Sequence, residues 1–158
     1  MTESQALRTA FSAFPSGVTA VAALVDGARP HGLAASSFTS VSLDPPLVSV
    51  CVAKTSTSWP LLRECRRIGV SVLAAHQGPL ARVLASKTDS RFNDVGWTAS
   101  DEGAVFITDA ALWLDCSIED ILPGGDHDII LFRVGSFESF DGVSPLVFHS
   151  SKFRELVI

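Results

Sequence analysis

The amino-acid sequence predicts a mainly β fold: an antiparallel β-barrel, closed or partly closed, with a few short flanking helices. Three observations support this. Six or seven apolar, β-branched runs of strand length are separated by turn residues. Helical spacing is confined to short segments. Strands and helices do not alternate regularly, which argues against a doubly wound parallel sheet. The length of 158 residues suits a single domain over 1–158 with a real core. With 47% hydrophobic and 18% charged residues, the chain is not of the disordered class.

The elements follow in order. Residues 4–14 place Leu7, Ala10, Phe11 and Phe14 at helical spacing, with Ser4 as N-cap and Pro15 and Gly17 as stop signals. Residues 18–25 form a buried strand, and Asp26-Gly27 turns the chain into a second strand at 32–36. A small-residue, hydroxyl-rich bend and the Pro45-Pro46 break precede a third strand at 47–53. Residues 54–58 form a polar knot, and a helical pattern runs from Pro60 through Cys65 with Ser58 as its N-cap. A strand at 68–74 leads to a helix at 79–86, whose face carries Leu80, Val83 and Leu84. Residues 87–103 lack periodicity and read as a long loop, a class of segment often used for function. Two long strands, 110–122 and 128–140, flank Pro123-Gly-Gly125; Asp141-Gly142 signals a hairpin into a last strand at 145–148.

Composition also bounds the function. The net charge is 12 − 17 = −5, which argues against nucleic acid as a partner, since phosphate contacts need a basic face. No basic and apolar leader opens the chain, and no apolar run reaches membrane-spanning length. The three cysteines are widely spaced and odd in number; Cys51 and Cys116 fall in apolar strand-like runs, so buried free thiols and a reducing cytoplasm are expected. Phosphate-loop, dinucleotide-fingerprint and serine-elbow motifs are missing, and the four histidines show no metal-ligand spacing. That pattern suits an enzyme whose cofactor carries the chemistry.

Three stretches offer a ligand polar groups. In the bend, Ser36 and Ser37 sit among side chains small enough for a flat molecule to approach the backbone; the same residues also suit a sharp turn. Lys54, Ser56 and Thr57 lie where a strand gives way to a helix, which fits either a phosphate grip or an ordinary helix cap. His127 opens a strand after a glycine turn, beside Asp126, and by itself reads first as a half-buried strand histidine and only second as a functional one. In the long loop, Arg91 is expected to pair on the surface with Asp89 or Asp94.

Five stretches in order resemble the short flavin reductases, the small components of two-component flavin monooxygenases. They are Phe14-Pro-Ser-Gly-Val-Thr-Ala20; Gly32-Leu-Ala-Ala-Ser-Ser-Phe38 with Ser42-Leu-Asp-Pro-Pro-Leu-Val48; Ser58-Trp-Pro60; Asp89-Ser-Arg-Phe92; and Gly125-Asp-His127. The resemblance spans about residues 11–148. It implies a flavin-binding split barrel, a homodimer, and transfer of hydride from NADH or NADPH to FMN or FAD, with reduced flavin passing to a partner oxygenase. It further implies flavin contacts from Leu33, Ala34, Ala35, Ser36, Ser37, Cys51, Lys54, Ser56, Thr57, Lys87 and Phe92, and a place for His127 beside the nicotinamide. Three positions depart from the pattern: Ala34 where relatives often have Thr, Ser71 where they often have Asn, and Ser151-Lys-Phe153, which lacks a common glycine. These departures leave open a reductase with tightly held FMN and a different acceptor, and a non-catalytic flavin-binding protein.

Overall fold

Strand-forming residues dominate the chain, and they pair into one large antiparallel sheet with two small ones beside it. The computed structural model describes residues 1–86 and 91–157. Helix α1 (Glu3–Phe11) starts at Thr2, not Ser4: Thr2 Oγ1 accepts from Gln5 N–H and the Gln5 side chain returns a bond to Thr2 N–H. The helix ends at Phe11, and none of its residues is buried in the chain. There follow β1 (Ser16–Gly17), β2 (Thr19–Val25), β3 (Arg29–Ala35), β4 (Thr39–Leu43) and β5 (Pro46–Ala53). Strand β4 takes the place of the expected bend, because Asp44-Pro45 makes a two-residue turn that pairs Leu43 with Pro46.

Helix α2 (Trp59–Leu62) is shorter than its pattern implied. Strand β6 (Ile68–Val72) and α3 (Gly78–Ala85) lie near their predicted positions. The buried face of α3 carries Gly78, Ala81 and Leu84, while Val83 faces outward. The segment read as one loop contains β7 (Trp97–Ala99), which pairs with β8 (Val105–Ile107). The long strands are β9 (Leu112–Gly124) and β10 (His127–Ser139). Gly125, at φ 71°, and Asp126 join them in a tight turn. Last come β11 (Leu146–His149) and β12 (Lys152–Glu155), the latter without a strand-like signal in the sequence. Asp141-Gly142 is a turn but closes no hairpin, since β11 pairs with β1 and β12 and not with β10.

The large sheet has the order β3-β2-β6-β9-β10-β5-β4. It curls until β3 returns beside β5, where a side chain does the work of a ladder: Ser37 Oγ accepts from Cys51 N–H at 2.8 Å and lies 3.3 Å from Cys51 O. The barrel is therefore split along one seam. Its core holds Val21, Val50, Ile68, Val70, Ile130 and Phe132, with Trp59 edge-on to Phe132 at 6.4 Å. A second core under α3 joins Val18, Ala20, Leu73, Leu84, Ile107 and Leu146. Close approach fixes Gly69: a Cβ there would collide with the Val105 carbonyl where β8 lies against β6.

Candidate active site

An edge strand leaves backbone N–H and C=O groups without ladder partners. Strand β3 is such an edge, bonded to β2 on one side only. Strand β4 pairs with β5 no further than Ser49, so Cys51 to Ala53 have no strand on that side, where the Ser37 hydroxyl meets the Cys51 backbone. The seam between these two open edges is a cleft of about 370 Å³. Its walls bring together Leu33, Ala34, Ala35, Ser36 and Ser37 from β3 and the bend, Cys51 from β5, Ser56 and Thr57 from the polar knot, and His127 from β10. Val52, Ala53, Thr55, Leu84, Ala85 and Arg91 complete the lining.

The small side chains explain the shape. Ala34 and Ala35 leave the β3 backbone approachable, and Ser36 is exposed at the lip. Ser37 plays a different part from the one expected of it, because its hydroxyl is committed to Cys51 and latches the seam. In the polar knot Ser56 Oγ accepts from Trp59 N–H at 3.2 Å, while Ser58, the expected cap, makes no capping bond. Thr57 is exposed. Lys54 does not line the cleft: its ammonium lies 2.9 Å from Asp128 Oδ1. Lys87 lies outside the described residues.

His127 reaches the cleft because the β10–β5 register sets it opposite Ala53. Its ring is 44% exposed, and Nδ1 lies 2.8 Å from Asp126 Oδ1. The hydrogen bond from His127 holds the Asp126 carboxyl below its ordinary value. Nδ1 thus keeps the proton in the neutral ring, and Nε2 is left as an acceptor for a ligand.

Of the two partners expected for Arg91, Asp89 lies outside the described residues, and no ion pair with Asp94 is among the described contacts; Nη1 instead donates to Gly32 O at 2.9 Å and to Ser58 Oγ at 2.6 Å, tying β3 to the start of α2. No periodicity marks such a residue, since its partners lie 59 and 33 positions away. Beyond Arg91 lies a second cleft of about 670 Å³, which shares Thr57 and Arg91 with the first. Phe92 lines this second cleft, and its ring sits 2.9 Å from where a Cβ on Gly32 would be. Of the cysteines, Cys116 is buried as expected and burial pushes its thiol up to about 12. Cys51 instead is half-buried on the cleft wall. Among the described residues no group of three His, Cys, Asp or Glu side chains is placed to hold a metal, and no helix is long and apolar enough to cross a membrane.

Residues 11–157 match the family model described as the flavin reductase like domain. The stachydrine N-demethylase reductase subunit of Rhizobium meliloti is 38% identical over 135 residues, which cover 85% of this chain and 59% of that protein. A flavin reductase of Pseudomonas putida is 34% identical over 145 residues, 92% of this chain and 85% of its own. The NADH:FAD oxidoreductase of Streptomyces globisporus, solved in complex with NAD and FAD fragments, superposes with a TM-score of 0.91 at 38% identity, over 98% of this chain and 93% of that one. The chain spans about half the length of the Rhizobium meliloti relatives it matches, 59% of the one above and 43% of another. With residues 11–157 of its 158 matching the family model and a fold in common with the solved relative, the chain belongs to the flavin reductase-like family.

Proposed function

We propose that this chain is an NAD(P)H-dependent flavin reductase, which transfers hydride from NADH or NADPH to FMN or FAD and releases reduced flavin to a partner monooxygenase. The observation that carries the reading is the seam cleft, with two open strand edges, small side chains on one wall, hydroxyls on the other and a histidine at one end. The residues fit a flavin. A flat ring with alternating donors and acceptors suits the edge-facing backbone groups along Leu33 to Ser36, on the side of β3 away from β2, and a phosphate suits Thr55, Ser56 and Thr57. The bound flavin supplies the hydride-accepting chemistry. The chain itself binds and orients: Ser37 and Arg91 fix the walls, and His127 Nε2 accepts from the carboxamide of the nicotinamide.

The relatives' names support the same reading: an NADH-dependent FAD reductase of Streptomyces globisporus and a trigonelline monooxygenase reductase component of Acinetobacter baylyi are among them. A single domain over 1–158, a homodimer and a cytoplasmic location belong to this proposal. The dimer is supported by Leu7, Phe11 and Phe14, which lie uncovered on and just after α1. The location is supported by three free thiols. The test is NADH and NADPH oxidation with FMN, FAD and riboflavin in turn. Steady oxidation that rises with free flavin is expected. No oxidation with any pairing would remove the reductase reading, and a rate independent of added flavin would make the flavin a resident group.

A further inference from the structure

We infer that Thr19 is a positioning residue for the flavin: its buried hydroxyl locks the end of β3 in the register that aims the Ala34 backbone into the seam. The inference rests on the flavin reading of that cleft. Thr19 opens β2 and is 1% exposed, in a strand whose other residues are Ala, Val and Leu. A hydroxyl buried in such surroundings needs a partner, and Thr19 Oγ1 donates to Ala35 O at 2.9 Å. Valine has the same branched shape and no polar group, so packing alone does not call for threonine here.

The register of β3 shows what that bond controls. In an antiparallel strand the N–H and C=O of one residue point to the same side, and successive residues alternate sides. Three contacts fix the alternation. Pro30, opposite Leu24, has no N–H to give, and Leu24 N–H points away from β3 to Gly103 O at 2.8 Å. Gly32 O faces away from β2, toward Arg91 Nη1 at 2.9 Å. Ala35 O faces β2, toward Thr19. Two residues on from Gly32, Ala34 therefore presents its N–H and C=O on the outer edge, where it lines the seam cleft. Ala34 has no hydroxyl, so its backbone is the polar surface it can offer a flavin ring. Strand β3 ends at Ala35, and its ladder with β2 ends there too. Strand ends fray, and the Thr19 hydroxyl adds a side-chain bond at that last rung. Thr19 stays behind the wall and does not line the cleft, so it acts through Ala35.

The test uses the purified full chain. Affinities for FMN and riboflavin are measured by quenching of flavin fluorescence, and folding is checked by urea unfolding. Thr19→Val should weaken both ligands by the same factor, on the order of fivefold, because the lost bond acts on the ring they share. The visible absorption band of the bound flavin should move toward that of free flavin. Thr19→Ser keeps the donor and should bind both ligands within about twofold of the parent. A folded Thr19→Val chain that binds both ligands as the parent does overturns the inference and leaves the hydroxyl a satisfied core group. A loss confined to FMN places the effect at the phosphate and overturns it too. So does a Thr19→Ser chain as weak as Thr19→Val, since shape and not the donor would then decide. Should Thr19→Val fail to fold, Thr19→Ala removes the same donor and takes its place; failure of both makes Thr19 a folding residue and overturns the inference. A parent chain that binds no flavin removes the underlying reading instead.

Discussion

His127 lines the seam with its Nδ1 hydrogen-bonded to the neighbouring Asp126 carboxylate, and that geometry sets a clear expectation. His127→Ala should keep flavin affinity, raise the nicotinamide KM or slow hydride transfer, and lower kcat/KM roughly tenfold, about 1.4 kcal/mol. Stopped-flow bleaching of bound flavin against NADH concentration measures it. The pH dependence of the contact follows from the lowered Asp126 carboxyl. A depressed carboxyl contributes its interaction fully above its unfolded value of 3.8 and loses it as pH falls through the still lower folded value. The Nδ1 contact is therefore intact at neutral pH and breaks only in strong acid, as side-chain NMR of His127 would report. Thr57 and Lys54 make a second contrast. Thr57→Ala should weaken FMN about tenfold and riboflavin little, because only FMN carries a phosphate. Lys54→Ala should affect both ligands alike, since its ammonium is held by Asp128.

Two of the departures from the family pattern find their meaning in the packing of whole elements. Ser71 is fully buried, and its Oγ accepts from Ile107 N–H at 3.0 Å, fastening β8 over β6. Ser71→Ala leaves that N–H buried and unpaired and should cost about 1–3 kcal/mol in urea unfolding. The turn between β11 and β12 holds Ser150 at φ 51° and Ser151 at φ 61°, a left-handed pair in a two-residue hairpin that favours Asn-Gly. Here the absent glycine leaves backbone strain. Ser151→Gly should raise stability by about 1 kcal/mol, visible as a higher thermal midpoint. The helices tell the opposite story, since their ends follow capping and packing: α1 begins where Thr2 and Gln5 exchange bonds, one turn's chemistry that Ser4 only imitates in sequence.

On the scale of the molecule, the uncovered aromatic face at Phe11 and Phe14, 72% and 80% exposed, points to association. Replacing both with Glu should reduce a dimer of twice the chain mass to the single-chain mass in sedimentation equilibrium. A parent protein already at single-chain mass would remove this expectation.

The sequence by itself determined the mainly β class, most of the strands, the small-residue wall at Leu33 to Ser37 and the strand-opening position of His127. Those properties are local: β-branched runs, Pro and Gly stops and short polar bends act over a few residues. Only the tertiary structure decided which of them meet. Strand β4 formed because β5 offered an edge, and Arg91 became a brace through partners 59 and 33 positions away. Ser37 spent its hydroxyl on the seam because curling brought Cys51 to it across 14 residues. Contacts of that kind depend on sheet order and register, which no single segment encodes, and they turn separate motifs into one cleft.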